Sequence, residues 1–254
     1  LIDDGSTDRS LEIAKKFEKM DSRVRVIHDG QNKKLPDRLN QLILESKFDL
    51  IARMDADDIM HPERLERQVN LLRNSSYDLV STSYFTINSQ DRVISSRIIK
   101  KEELTLDDFL LGNYYILHPS ILAKKSWYLD NFYDHKFDRA EDYELWFRAM
   151  VNKNFNIKIL TDPLMFYREE GSISKNKQIL SYKATNMILD KYSNELGFLR
   201  YFQGKVRNNL KIIALSLLYS KKMESFLLKR RDKLNNGNFD ISESQRLLNS
   251  IISS

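Results

Sequence analysis

The 254-residue chain contains no cysteine. That excludes disulfide scaffolds, cysteine-ligated zinc, iron–sulfur clusters and thiol nucleophiles. Glycine is sparse: seven residues lie scattered at positions 5, 30, 112, 171, 197, 204 and 237. No G-x-G-x-x-G and no G-x-x-x-x-G-K-[ST] can be written through them, so dinucleotide fingerprints and phosphate loops are excluded. No apolar run approaches the roughly 20 residues of a membrane span. The best, Ile212 to Tyr219, is flanked by Lys211, Lys221 and Lys222. Charge, by contrast, is plentiful: 41 Lys/Arg against 36 Asp/Glu, a net +5. It is unevenly placed, with 14 basic and 6 acidic residues in 176–254 and 27 and 30 in 1–175. The acidic segment suits metal chemistry, and the basic tail suits an anionic surface such as phospholipid. No nucleic-acid-binding module accompanies that tail.

Leu1-Ile2 reads as the end of a buried strand, and Asp3 to Asp8 as a turn in which Ser6 or Thr7 N-caps a helix. Leu11, Ile13, Ala14 and Phe17 recur at helical spacing, then Val24, Val26 and His28 alternate as a strand. Leu35, Leu39, Leu42 and Ile43 form a second helical stripe. Short strands follow at 50–54 and 79–85, with a helix opened by Pro62 between them. This alternation predicts an α/β fold, a mostly parallel sheet flanked by helices. Helices with basic faces fill the chain from about residue 178 onward.

In such sheets ligands gather at the carboxyl ends of strands. Two acidic groups stand there. Asp55, Asp57 and Asp58 follow one apolar strand, and three carboxylates within four residues repel one another unless a cation neutralises them. Hard oxygen donors of this kind suit Mn²⁺ or Mg²⁺; the alternative is a solvated acidic turn. Asp3 and Asp4 end another strand and can accept from a pyrimidine imide or ribose hydroxyls, or simply close an Asx-type turn. Glu141-Asp142 opens a helix, as a general base or as a complement to the helix dipole, whose N-terminus favours the ionised form. Trp146, spaced with Leu145 and Ala149, reads as core or as an acceptor-side platform.

Taken in order, five segments resemble the family 2 glycosyltransferases of GT-A fold. They are Asp3-Asp4-Gly5-Ser6, Arg53-Met54-Asp55-Ala56-Asp57-Asp58 with Pro62-Glu63-Arg64, His118-Pro119-Ser120, Glu141-Asp142-Tyr143-Glu144-Leu145-Trp146, and Tyr167-Arg168 with Gly171-Ser172-Ile173-Ser174. The resemblance implies a catalytic domain over 1–175 whose first strand and helix precede Leu1, and a basic helical region over 176–254. It implies an inverting sugar transfer from a nucleotide sugar, uridine-linked by family habit, to a hydroxyl of a glycan or lipid-linked acceptor. Donor contacts would fall on Asp3, Asp4, Arg38, Asn40 and Asp55, the metal on Asp55 and Asp57, and the base on Asp142, with Glu141 the second choice. His118 and Trp146 would lie on the acceptor side. The setting implied is the cytoplasmic face of a bacterial membrane, in surface-polysaccharide synthesis. Two departures stand out: Lys34 where the family usually has glycine, and Glu169-Glu170 where many members have histidine. A metal-dependent nucleotidyltransferase, or an inactive remnant that binds nucleotide weakly, remain as alternatives.

Overall fold

The computed structural model describes residues 1–112, 115–137, 139–169, 175–218 and 239–253. β1 (Ile2–Asp3) and β2 (Ile27–His28) are joined by α1 (Ser10–Met20) and pair in parallel as a two-stranded sheet. α2 (Lys34–Glu45) leads to β3 (Leu50–Ala52), β4 (Ile59–Met60), α3 (Arg64–Arg73), β5 (Leu79–Ile87) and β6 (Val93–Arg97). α4 (Leu106–Leu111), β7 (Leu122–Lys124), α5 (Lys125–Asp130), α6 (Glu141–Val151) and β8 (Ile157–Arg168) complete the sheet region. α7 (Lys175–Lys191), α8 (Ser193–Leu196), α9 (Phe198–Leu218) and α10 (Ile241–Ile252) follow. Gly171 to Ser174, the expected closing loop, lies outside the described residues.

The fold is mixed α/β, a curled central sheet between helices. Its strand order is β3-β7-β5-β8-β4, with β6 also on β5. The expectation of a mostly parallel sheet is corrected here. Only β1–β2 and β5–β8 run parallel among the described ladders; β3–β7, β5–β7, β4–β8 and β5–β6 are antiparallel. The cause is connection length. β6 returns from β5 through residues 88–92, and β7 enters from the 3₁₀ turn His118–Ser120, so neither has the helical crossover a parallel neighbour needs. All nine residues of β5 are buried, as befits the central strand. β8 is longer than its apolar run suggests, because Pro163 sits opposite Ser83 at a register shift where no ladder N–H is required.

Local chemistry differs from expectation at the first turn. α1 begins at Ser10 with Arg9 as its N-cap; Ser6 and Thr7 do not cap it, and the Asp8 carboxylate accepts from the Ser10 N–H at 2.9 Å. Gly5 has φ +77°, and a Cβ there would meet the Gln31 carbonyl carbon at 3.0 Å. Lys34 stands at φ +69°, the left-handed conformation a glycine takes without cost.

The main core lies under α4 to α7. Trp127, Trp146, Phe147 and Phe109 pack with Ile188 and Leu189 of α7. α10 closes the opposite side, where Leu248 joins Phe85, Ile87, Val93 and Phe166. Helices after residue 175 therefore share packing with the sheet region. α1 buries none of its residues, and Ile13 and Phe17 are each 52% exposed.

Candidate active site

β3 ends where the Arg53 N–H donates to the Ile121 carbonyl of the β7 segment at 2.9 Å. The chain then turns through Asp55, Asp57 and Asp58 before β4 pairs with β8. One carboxylate oxygen from each aspartate lies within 4.8 Å of the others. Asp58 Oδ1 accepts from the Arg168 N–H at 2.9 Å, which ties the turn to the end of β8. Burial, then the charges of Asp55 and Asp57, push the Asp58 carboxyl up to about 7. Its Oδ2 is buried without a partner. An all-oxygen donor set, crowded and with one orphaned buried oxygen, fits a hard divalent cation.

α3 secures this turn. Arg64 is fully buried, and its Nη2 donates to the Arg53 carbonyl at 2.9 Å. Its Nε donates to Gln68 Oε1, while Gln68 Nε2 serves the carbonyls of Val80 and Ser120. Arg53 is also buried. Its Nη2 meets Asp55 at 2.7 Å, but Nε and Nη1 have no partner. Arg53 and Arg64 stand in the segments that resemble the family, but nothing in the pattern marks them or Gln68 as buried, because polar residues between charged ones read as a solvated face.

Asp3 and Asp4 form a second group. Asp3 Oδ2 accepts from the Gly5 and Ser6 N–H groups and meets His28 Nδ1 at 2.9 Å. Asp4 accepts from the backbone N–H of Lys33 and Lys34, at 2.7 and 3.0 Å. Arg38, expected as a donor contact, is 1% exposed and spends all five N–H groups internally. They reach Asp4, Asp29, Gln41 and the Gln31 carbonyl. It positions Asp4 and has no hydrogen left for a ligand. Asn40 is likewise committed, exchanging two 2.9 Å hydrogen bonds with the Tyr133 backbone.

α6 brings in the third group. Asp142 Oδ1 accepts from the Tyr143 N–H at 2.7 Å, and Glu141 Oε2 from the Arg139 N–H at 3.0 Å. The helix start does not keep them acidic, as the dipole alone would predict. Burial pushes Asp142 above its usual range, and burial plus Asp142 push Glu141 up to about 7. His118 Nε2 lies 2.8 Å from Tyr133 Oη, and burial pulls the imidazole well below its usual range, so it is neutral. Trp146, 1% exposed, stacks on Trp127 at 5.8 Å and cannot serve as a sugar platform. The raised Glu141 has a consequence for stability. The folded state penalises its charge from about pH 4.5 up to about 7 and constantly above. Glu141→Gln should therefore leave denaturant stability unchanged near about pH 4 and raise it by about 3 kcal/mol near about pH 8.

Asp142, His118, Tyr84, Tyr115 and Tyr167 line a cavity of about 590 Å³. The Asp55 turn adjoins it. The charges of Asp58 and Asp55 are felt by Tyr167, and that of Arg53 by Asp142, Glu141 and His118. The metal-type cluster and Asp142 are thus both within electrostatic reach of Arg53. Glu169, on the same cavity, is ion-paired with Arg97.

A family model described as glycosyl transferase family 2 matches residues 1–170. The chain is 28% identical over 241 residues to the bifunctional glycosyltransferase pgtA of Dictyostelium discoideum, covering 79% of this chain and 31% of that protein. It is 28% identical over 190 residues to the O-antigen biosynthesis glycosyltransferase WbnJ of Escherichia coli, covering 72% of each. The chain thus spans about a third of the first of these relatives. Among solved structures it is similar to residues 1–349 of S. aureus TarS in complex with UDP-GlcNAc. That match has a TM-score of 0.57 at 17% identity, covering 87% of this chain and 64% of that one.

Proposed function

Because the chain belongs to glycosyl transferase family 2, we propose that it is an inverting, metal-dependent glycosyltransferase. It moves a sugar from a nucleoside-diphosphate sugar, uridine-linked, to a hydroxyl of a glycan or lipid-linked acceptor in surface-polysaccharide assembly. The similarity to an O-antigen glycosyltransferase and to a UDP-GlcNAc complex supports donor class and setting. The observation that carries the reading is a carboxylate cluster after β3 and an Asp142 carboxyl lining the adjoining cavity, both within electrostatic reach of Arg53.

Asp3 and Asp4 accept from the base and ribose. Asp55 and Asp57 would hold a divalent cation, which when bound would supply Lewis-acid stabilisation of the leaving diphosphate. Asp142 takes the acceptor hydroxyl's proton as the new C–O bond forms and the bond to the diphosphate breaks. A single base and one displacement invert the anomeric centre. The test is a panel of nucleotide sugars incubated with the full chain, Mn²⁺ and acceptor pools, reading nucleoside diphosphate release. Release of pyrophosphate instead would point to nucleotidyl transfer, and no release with any donor would remove the reading.

Among the described residues no helix is long and apolar enough to cross a membrane. α9 nevertheless exposes Phe202, Val206, Leu210, Ile213 and Leu217 along one stripe, 40–78% accessible. Spaced three to four residues apart on a basic helix, they favour docking on an anionic lipid surface. The full chain should float with phosphatidylglycerol vesicles. Leu210, Ile213 and Leu217 changed together to Ser should reduce the bound fraction about tenfold; equal flotation would remove the membrane role.

A further inference from the structure

The cavity beside Asp142 has a cationic wall that sugar transfer to a neutral acceptor leaves unused. α9 contributes Arg207 and Lys211 to it, and α7 contributes Tyr182. Three other cations of these helices are paired: Lys191 with Asp134 and Glu144, Lys205 with Asp190, Arg200 with Asp107. Among the described residues Arg207 makes one hydrogen bond, from Nη1 to the Leu110 carbonyl at 2.7 Å, and no ion pair. The Lys211 ammonium lies 5.1 Å from the centre of the Tyr182 ring and also has no acidic partner among the described residues. Of the cavity's carboxylates, Glu169 is committed to Arg97 and Asp142 to the Tyr143 amide. Neither pairs with the two cations. Burial and the neighbouring Arg207 pull Lys211 down to about 8, the signature of like charges held together without a counter-charge.

Resting on the transferase reading above, we propose that the acceptor is anionic, carrying a phosphate group that Arg207 and Lys211 bind while its hydroxyl faces Asp142. A guanidinium with N–H groups unpartnered among the described residues, beside an ammonium, suits a phosphate, which satisfies both at once. A neutral glycan would leave them uncompensated. The phosphate belongs to the acceptor and not the donor, because Asp55, Asp57 and Asp58 do not line this cavity. α9 thus presents these cations to the cavity and an apolar stripe to the outside, so one helix carries both the phosphate site and the face proposed to meet lipid.

The test uses the full chain in EDTA, which disables the metal-dependent donor site. A dansylated alkyl phosphate and its neutral alcohol are titrated separately. The phosphate should bind about tenfold tighter than the alcohol. Arg207→Gln and Lys211→Gln should each weaken the phosphate about tenfold and leave the alcohol unchanged. Lys211→Arg should recover most of the loss, and UDP should not compete. A lipid-borne phosphate as source predicts displacement by alkyl phosphate far better than by hexose 1-phosphate; a soluble phosphoglycan predicts the reverse. Equal affinity for phosphate and alcohol would overturn the proposal, as would competition by UDP. Because Arg207 also braces α4, Lys211→Gln, which removes no hydrogen bond, is the decisive variant if Arg207→Gln unfolds. Donor turnover without phosphate preference removes this inference alone. Phosphate binding without turnover of any donor overturns the transferase reading and the acceptor assignment with it.

Discussion

Asp142→Asn should lower acceptor-dependent release of nucleoside diphosphate by about 10³-fold while leaving nucleotide-sugar binding intact, since a positioned general base contributes on this order. The reason for choosing Asp142 over Glu141 is its position. It lines the cavity, and its Oδ1 is fixed by the Tyr143 amide. Its companion is held by the Arg139 amide. The pH profile separates a base from a mere helix cap. Burial raises the Asp142 carboxyl, so the rate should fall as acidification protonates it, at a pH above the ordinary carboxylate range. Glu141, pushed up to about 7, is already protonated on that acidic limb, so Glu141→Gln should leave the limb in place without abolishing turnover. An Asp142→Asn variant that keeps more than about a tenth of the rate would demote it to a cap.

Asp57→Asn should reduce kcat/KM by about 10²- to 10³-fold, the loss expected when a cation that stabilises developing charge is weakly held. Asp57 is the cleaner probe because Asp55 also ion-pairs with Arg53, and Asp55→Asn would free a buried guanidinium. Stability distinguishes a ligand from a structural residue. Without metal, removing one of three crowded carboxylates should leave the melting temperature equal or slightly higher. With Mn²⁺ at about 100 times its Kd, the wild-type chain should gain about 2.7 kcal/mol, and the variant should gain almost none. An equal metal-induced shift in both would remove Asp57 from the ligand set.

The charged clusters were legible in the sequence because carboxylates at fixed spacing after apolar strands have few other uses. Family membership and the α/β class follow from the order of those motifs. Strand direction was not legible: periodicity reveals a strand but not whether its connection crosses over or folds back, and β4, β6 and β7 fold back. The supporting polar residues were hidden for a different reason. Arg38, Arg64 and Gln68 sit in helices whose neighbours are charged, so their burial shows only in three dimensions. Asp142 illustrates the limit of a local rule. The helix dipole favours its charge, but desolvation by the surrounding core is the larger effect.

The seating of α10 has a consequence for handling the protein. β6 is an outer strand, and its Val93 N–H is occupied by Gln245 Oε1 at 2.8 Å, while Gln245 Nε2 takes the Asp91 carbonyl at 3.0 Å. One glutamine thus imitates the backbone of a neighbouring strand, and Leu248 covers the apolar face beside it. A shortened chain ending before Asp240 would present bare strand groups next to exposed Phe85 and Val93. That combination templates intermolecular strand pairing, so such a truncation should polymerise on concentration even where each molecule remains folded.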